Sequence, residues 1–162
     1  VLYLEHKRLY RMPELREELP TEDYIVPLGK AIIRREGEDM TILTYGAMVH
    51  QCLRAAQVLE KDDDLEVEVL DLRSLSPLDR DAIIESVKRT NKVLIVHEDI
   101  LTEGIGAELS ALVAEDLFEY LDGPIAQVAT SSLPFPYTPP TNAPYVPNAE
   151  KILSAARVLA AY

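Results

Sequence analysis

Short apolar runs alternate with longer segments of helical periodicity along most of this chain, and this alternation constrains its fold more than any other feature. Residues 93–96 form an uninterrupted apolar run, as expected of a strand that is covered on both faces. In the longer segments apolar residues recur at helical spacing, for example Met48, Cys52 and Leu59. The pattern predicts an α/β fold in which a mostly parallel sheet carries helices on both faces.

Composition and capping residues assign the individual elements. Strands are predicted at residues 1–6, 30–35, 40–45, 65–72, 93–96 and 125–130. Helices are predicted from Ala47 to the acidic run at 62–64, from Ser76, after Gly106 and from Asn148. Ser76 and Asp79 have the spacing of a capping box. Six prolines between residues 133 and 147 argue against regular structure there, so this stretch is expected to wrap a surface.

Charge and cysteine content exclude several classes of function. The formal net charge of -12 repels phosphate backbones and anionic lipid headgroups, so nucleic acid and membranes are not expected partners. Cys52 is the only cysteine, which excludes an internal disulfide and a cysteine-based zinc cluster. No apolar run approaches the roughly 20 residues that span a bilayer, and no leader peptide is recognised. A cytoplasmic location is expected, or the mitochondrial matrix in a eukaryote.

Few residues suggest chemistry. His97 and Glu98 lie at the carboxyl end of a predicted parallel strand, where open α/β sheets place ligand sites. A histidine beside carboxylates could act as a base or bind a metal, but strand ends also carry polar residues wherever they meet solvent or another subunit. The pair is therefore a possible interface or site, and no residue is predicted to be catalytic, cofactor-binding or metal-ligating.

Two further patterns have ordinary explanations. Gly104 and Gly106 begin a G-x-G-x-x-G motif, but Leu109 stands where its third glycine would be, which argues against nucleotide binding. Glu66 and Glu68 fall on one face of a predicted strand. They could form an acid/base pair, but a solvated strand face gives the same alternation and is the interpretation that we favour.

Several segments resemble one known family. Residues 5–11 (Glu-His-Lys-Arg-Leu-Tyr-Arg) are similar to the E-x-K-x-L-Y-R segment of the β subunit of 2-oxoacid dehydrogenases, the E1 component. Residues 23–162 resemble the transketolase C-terminal domain, with similar segments in the same order at 24–31, 44–50, 69–73, 77–79, 96–98, 106–108, 121–124, 134–137 and 146–148. The resemblance covers nearly the whole chain, and its leading segment favours an E1 β subunit over transketolase itself.

The resemblance implies an α2β2 enzyme that decarboxylates a 2-oxoacid on thiamin diphosphate and Mg²⁺ and passes the acyl group to the lipoyl arm of E2. The catalytic glutamate and histidine of such β subunits lie upstream of the residues present here. This chain is therefore expected to be a C-terminal fragment that binds no cofactor and is inactive alone. Residues 1–22 would be a remnant strand of the pyrimidine-binding domain plus a linker, and residues 23–162 the transketolase C-terminal-like domain.

The same resemblance suggests partners for the fragment: the E1 α subunit, a second β subunit and the basic subunit-binding domain of E2. Asp122 and the terminal carboxylate of Tyr162 are candidate contacts for E2. Relatives commonly carry Glu in place of Asp122, and Asp122 is equally explained as a turn residue before Gly123-Pro124. The substrate would be a branched-chain 2-oxoacid or, as second choice, pyruvate. The alternative is a free-standing interaction or small-molecule-binding module, in which residues 1–6 would pack as a strand of its own sheet.

Overall fold

The computed structural model describes residues 2–16, 18, 20–132 and 145–162. Within this part of the chain, five strands form one sheet: β1 Ile32–Arg35, β2 Met40–Thr44, β3 Val67–Asp71, β4 Val93–Ile100 and β5 Ala126–Thr130. The α-helices are α1 Met48–Asp63, α2 Arg80–Thr90, α3 Ile105–Leu117 and α4 Ala149–Ala160. Short 3₁₀ turns lie at Leu9–Arg11, Pro13–Leu15 and Phe118–Tyr120.

The strand order is β1-β3-β2-β4-β5. Strands β3, β2, β4 and β5 are parallel, and β1 pairs with β3 in the antiparallel sense. From β2 the chain moves outward first to β3 on one side and then to β4 on the other, so the order reverses between β2 and β4. The predicted fold class, a mostly parallel α/β sheet, is confirmed.

Helices cover both faces of the sheet. On one face α1 and α4 pack on Ile42, Val69 and Val96. On the other face α2 and α3 pack on Leu43, Leu70 and Ile95. Successive strand residues point to opposite faces, so a strand between two helix layers must be apolar throughout. This explains the unbroken run at 93–96. None of the helices in the described part is long and apolar enough to cross a membrane.

The strand predicted at residues 1–6 is wrong for the residues that the structure describes. Residues 2–6 belong to no helix or strand, and Leu2 and Leu4 are each 83% exposed. Apolar composition alone does not make a strand, because the backbone N–H and C=O groups also need a partner strand. The segment is therefore not part of the main sheet. The division at residue 22 remains a prediction.

Helix α2 begins later than the capping box predicts. It starts at Arg80, and Asp79 occupies the N-cap position without a side-chain capping bond. The Asp79 carboxylate instead accepts hydrogen bonds from Ala31 N at 3.1 Å and Lys30 Nζ at 3.3 Å. Tertiary pairing with the segment before β1 therefore competes successfully with the local cap that the spacing suggests.

Two other helix ends agree with the sequence. Helix α1 ends inside the acidic run, with Asp64 in the left-handed conformation at φ 56°. The unfavourable carboxylate at Asp63 is compensated by Arg157 of α4, whose guanidinium donates to it at 2.7 Å. Asn148 caps α4 by accepting from Lys151 N at 2.9 Å, as predicted. Most of the proline-rich stretch, residues 133–144, lies outside the described residues.

Candidate functional site

The carboxyl ends of β2, β3 and β4 meet at one edge of the sheet, where the order reversal between β2 and β4 would favour a ligand crevice. His97, Glu98 and Asp99 belong to β4 at this edge, and Tyr45 follows β2. Burial raises the pKa of the Tyr45 hydroxyl, and the nearby carboxylates of Asp99 and Glu98 raise it further. The carboxyl edge of the sheet therefore carries polar residues from the ends of both β2 and β4.

His97 is fully buried beneath the first turn of α3. A Cβ atom added to Gly104 would lie 3.1 Å from His97 Cε1, and one added to Gly106 would overlap His97 Nε2 and Gln127 Oε1. The two glycines thus make room for the imidazole and its neighbour, which is a packing role and not a phosphate-binding role. Packing against His97 and Gln127 therefore explains the two glycines of the incomplete G-x-G-x-x-G motif.

The imidazole of His97 has no well-formed hydrogen bond within the described part of the chain, and Gln127 Oε1 is also without one. Gln127 is held from its other end, because its Nε2 donates to Ser110 Oγ at 2.8 Å. Burial lowers the pKa of His97, opposed by the nearby Asp99 and Gln127. A neutral and enclosed imidazole cannot reach an external substrate.

The Glu98 side chain, unlike His97, is exposed at the surface. Its carboxylate is 41% exposed and pairs with His6 Nε2 at 3.0 Å, so the segment before β1 lies against the carboxyl edge. The structure therefore does not bring His97 and Glu98 together in one site. An interface role for this pair remains a prediction. Only Glu98 is exposed and could contact a partner from the surface.

The lowered pKa of His97 predicts a pH-dependent stability. The unfolded chain binds a proton with the ordinary histidine pKa of about 6.5, whereas the folded chain binds it only at lower pH. The folded state should therefore lose stability as the pH falls below the histidine pKa of the unfolded chain. Urea unfolding between pH 7.5 and 5 should show a shallower decline in the free energy of unfolding for His97→Gln than for wild type.

His50→Gln should remove a smaller part of this decline, because His50 is only half-buried although its pKa is also lowered. Equal slopes for wild type and His97→Gln would contradict this account.

Glu68 is a residue that the sequence analysis placed wrongly. Glu66 is exposed, but Glu68 is fully buried between β3 and α2. Its carboxylate accepts a hydrogen bond from Thr41 Oγ1 at 3.1 Å and pairs with the Arg89 guanidinium. Thr41 also meets Thr90, with the two hydroxyl oxygens 2.8 Å apart. The prediction of a solvated strand face fails because β3 is an interior strand with a helix above each face.

Asp122 and Tyr162 both lie at the opposite, amino-terminal edge of the sheet. The Asp122 backbone N–H donates to Asn91 O at 2.9 Å, which fixes the loop before β5. A Cβ atom on Gly123 would lie 3.2 Å from Tyr162 Cβ, so this loop packs on the end of α4. Both side chains are exposed. Their contact with a partner remains a prediction, but residues 40 positions apart in the sequence do form one corner.

An apolar groove of about 380 Å³ lies directly beside this corner, between α4 and β5. The residues that form it include Pro124, Ala126, Ala155, Val158, Leu159 and Tyr162. Val158 is 64% exposed. The groove is not predicted from the sequence, because the helical spacing of α4 identifies only its inward stripe. An apolar residue outside that stripe was the available signal.

The described residues at the two edges of the sheet do not show the geometry of a metal site. Among residues 2–16, 18, 20–132 and 145–162, no three His, Cys, Asp or Glu side chains are grouped as a metal site requires. Cys52 is buried, and burial raises the pKa of its thiol to about 12. A thiol in that state is not a nucleophile at neutral pH.

Residues 29–152 match the family model described as transketolase, C-terminal domain. The β subunit of 2-oxoisovalerate dehydrogenase from Bacillus subtilis is 43% identical over 163 aligned positions, which cover 100% of this chain and 49% of that protein. The pyruvate dehydrogenase E1 component β subunit from Staphylococcus epidermidis is 43% identical over 157 positions, covering 97% of this chain and 47% of that protein. The chain thus spans about half the length of the curated relatives it matches.

Solved structures give the same fold. A structure titled as split gene transketolase, inactive beta4 tetramer, superposes with a TM-score of 0.76 at 25% identity, covering 90% of this chain and 46% of that one. Transketolase from Leishmania mexicana superposes with a TM-score of 0.54 at 19% identity, covering 82% of this chain and 18% of that one. The second likeness concerns the fold alone.

Proposed function

The chain belongs to the family of transketolase C-terminal domains, and from this premise we propose that it forms the C-terminal half of the β subunit of a thiamin-diphosphate-dependent 2-oxoacid dehydrogenase, the E1 component. The observation that carries the proposal is the similarity to two such β subunits along essentially the whole chain. The intact enzyme would decarboxylate a branched-chain 2-oxoacid or, as second choice, pyruvate. It would work in the cytoplasm.

The part played by this chain would be assembly and docking. Thiamin diphosphate, when bound, supplies the carbanion chemistry of decarboxylation, but the described residues do not fit it. The G-x-G turn packs on His97, and among the described residues no group of three His, Cys, Asp or Glu side chains offers the ligands that Mg²⁺ requires. We expect the residues that hold the cofactor to lie elsewhere in the intact enzyme, and this chain alone to be inactive. The relative titled as an inactive tetramer supports that expectation.

We assign the partners to the two edges of the sheet. The E1 α subunit and the second β subunit would meet apolar surface such as Leu28, Ile100 and Leu101, each more than 40% exposed around the carboxyl edge. The basic subunit-binding domain of E2 would meet the corner of Asp122 and Tyr162. Opposite charges across an interface speed encounter and fix orientation, and the net charge of -12 suits a basic partner.

Calorimetric titration of this chain with the E2 subunit-binding domain tests the proposal. Asp122→Asn should weaken binding about threefold and reduce its dependence on salt, because a contact between exposed charges is lost. Asp81→Asn is the matched control: Asp81 is also exposed, but it lies in the first turn of α2 near the carboxyl edge and should bind like wild type. Absence of binding by wild type, or measurable affinity of the chain for thiamin diphosphate with Mg²⁺, would contradict the proposal.

A further inference from the structure

Strand β4 leaves the regular register of the sheet near its end. Between its pairs with Val128 and Thr130 of β5, it contains three residues where β5 contains one, so it bulges at residues 97–99. A bulge of this kind re-aims a side chain, and here His97 enters the interior beneath α3. We propose that the bulge is a proton-sensitive latch. When the imidazole takes up a proton, the ring leaves its site, and the loop at 100–104 opens together with the first turn of α3.

The interior site of His97 suits a neutral imidazole and not an imidazolium. The ring is completely buried, and neither of its nitrogens has a well-formed hydrogen bond within the part of the chain that the structure describes. An imidazolium has two N–H donors, and burial of a charge without partners is strongly unfavourable. Gly104 and Gly106 pack directly on the ring, so it has little room to rearrange in place. Proton uptake therefore favours a state in which the ring reaches water.

The groups around the ring do not compensate for its burial. The carboxylate of Asp99 on β4 and the amide of Gln127 on β5 both favour the imidazolium, but desolvation outweighs them, and the pKa of His97 is lowered. The amino-terminal end of α3 lies against the ring, and its partial positive charge also disfavours a cation. The other titratable side chains of this edge, which are exposed, paired with each other or neutral, include Glu98, His6, Glu103, Glu108 and Tyr45.

The loop after the bulge is strained and closes directly over the ring. Glu103 has a left-handed φ of 60°, which is unfavourable for a residue with a side chain. Gly104 packs both on the carbonyl oxygen of Ile100 and on the imidazole, so the loop and the first turn of α3 share one support. When the ring leaves, both lose that support together. The loop would then open as one unit.

Opening would change the surface of the carboxyl edge. Ile100 and Leu101 are exposed and belong to the apolar surface to which we assign subunit contacts. Those contacts would therefore weaken in mildly acidic solution. This consequence rests on the proposed function, whereas the latch itself does not, and the experiment below measures the latch alone.

Native-state hydrogen exchange of this chain at pH 7.5 and 5.5 tests the latch. The amides of Leu101 and Ala107 donate to Thr130 O and Gly104 O in the closed state. Their protection, corrected for intrinsic rates, should fall about tenfold, because the open state binds one proton with the ordinary histidine pKa of about 6.5. Low concentrations of urea should not change this protection, since a local opening exposes little surface. The amide of Thr41 in β2, which donates to Lys92 O, should exchange by global unfolding and respond to urea.

Two variants act on the latch in different ways. His97→Gln cannot take up the proton, so the pH dependence of protection at Leu101 should disappear. Gln127→Glu places a carboxylate beside the ring, where it would hold the imidazolium in its site, and the fall should shrink to less than about twofold. This second variant and the wild-type profile keep the test decisive even if His97→Gln does not fold.

His50→Gln and His6→Gln are the matched controls, because each removes a histidine outside the site and should keep the full tenfold fall. His6 pairs with Glu98 at the same edge, so a loss of the pH dependence in His6→Gln would assign it to that pair and overturn the latch. Constant protection of Leu101 in wild type, or a fall that Gln127→Glu leaves intact, would overturn it as well.

Discussion

Replacing Arg89 with alanine should lower the free energy of unfolding by about 3 kcal/mol, because it leaves a buried carboxylate without its cation. Glu68 is completely buried, and its pair with Arg89 connects it to the surface, where the arginine side chain is 40% exposed. The attraction is partly screened on the solvent side. We therefore expect a loss near the lower end of what breaking a buried pair costs. Urea unfolding at neutral pH measures it.

Two comparisons isolate the cause. Adding Glu68→Gln to the Arg89→Ala variant should restore part of the stability, since a neutral amide can still accept the hydrogen bond from Thr41 without carrying a buried charge. Arg157→Ala removes an arginine of similar exposure whose partner, Asp63, still has 26% of its side chain exposed, so it should cost no more than about 1 kcal/mol. Equal losses in the free energy of unfolding for Arg89→Ala and Arg157→Ala would contradict this account, because they would mean that water reaches the carboxylate of Glu68.

This ion pair shows where sequence patterns stop being informative. The alternation of acidic residues and valines at 66–69 correctly predicts a strand. It predicts the burial of Glu68 wrongly, because burial depends on which strands and helices lie beside β3. β3 lies between β1 and β2, beneath α2, and only that placement reveals the role of Glu68. The polar residues Thr41 and Thr90 were the available signal, but they are distant in sequence from Glu68. Pairing across distant segments is set by the fold and not by local periodicity.

Local patterns succeeded where local physics decides the outcome. The apolar run at 93–96 and the helical spacing after Ala47 each correspond to an observed element, because period and burial coincide there. Asn148 caps α4 as predicted, since an N-cap bond reaches only three residues. The capping box at Ser76 failed because Asp79 found partners 48 and 49 positions away. The same distinction applies to the candidate site, where single residues could be named in advance but the corner and its groove could not.

Substituting alanine for Gly37 should also lower stability by about 3 kcal/mol, and here backbone atoms cause the loss. Gly37 lies in the turn between β1 and β2, where it packs directly on the start of β3. An added Cβ would overlap Glu68 N, the carbonyl carbon of Val67 and Glu66 O. None of these atoms can move without moving the strand. Two hydrogen bonds join the turn to β3, from Asp39 N to Glu66 O at 3.0 Å and from Glu66 N to Asp39 Oδ2 at 2.7 Å.

The methyl group of Gly37→Ala should push the turn away from β3, so both bonds to Glu66 should weaken together. Urea unfolding should show the stability loss, and hydrogen exchange should show faster exchange at the amides of Asp39 and Glu66. Gly46→Ala is the matched control, because no atom lies within 4 Å of its added Cβ. Its backbone is left-handed at φ 59°, which should cost only about 1 kcal/mol. A smaller loss for Gly37→Ala than for Gly46→Ala would mean that β1 and its turn can shift without cost, and that the antiparallel edge of the sheet is not fixed by this contact.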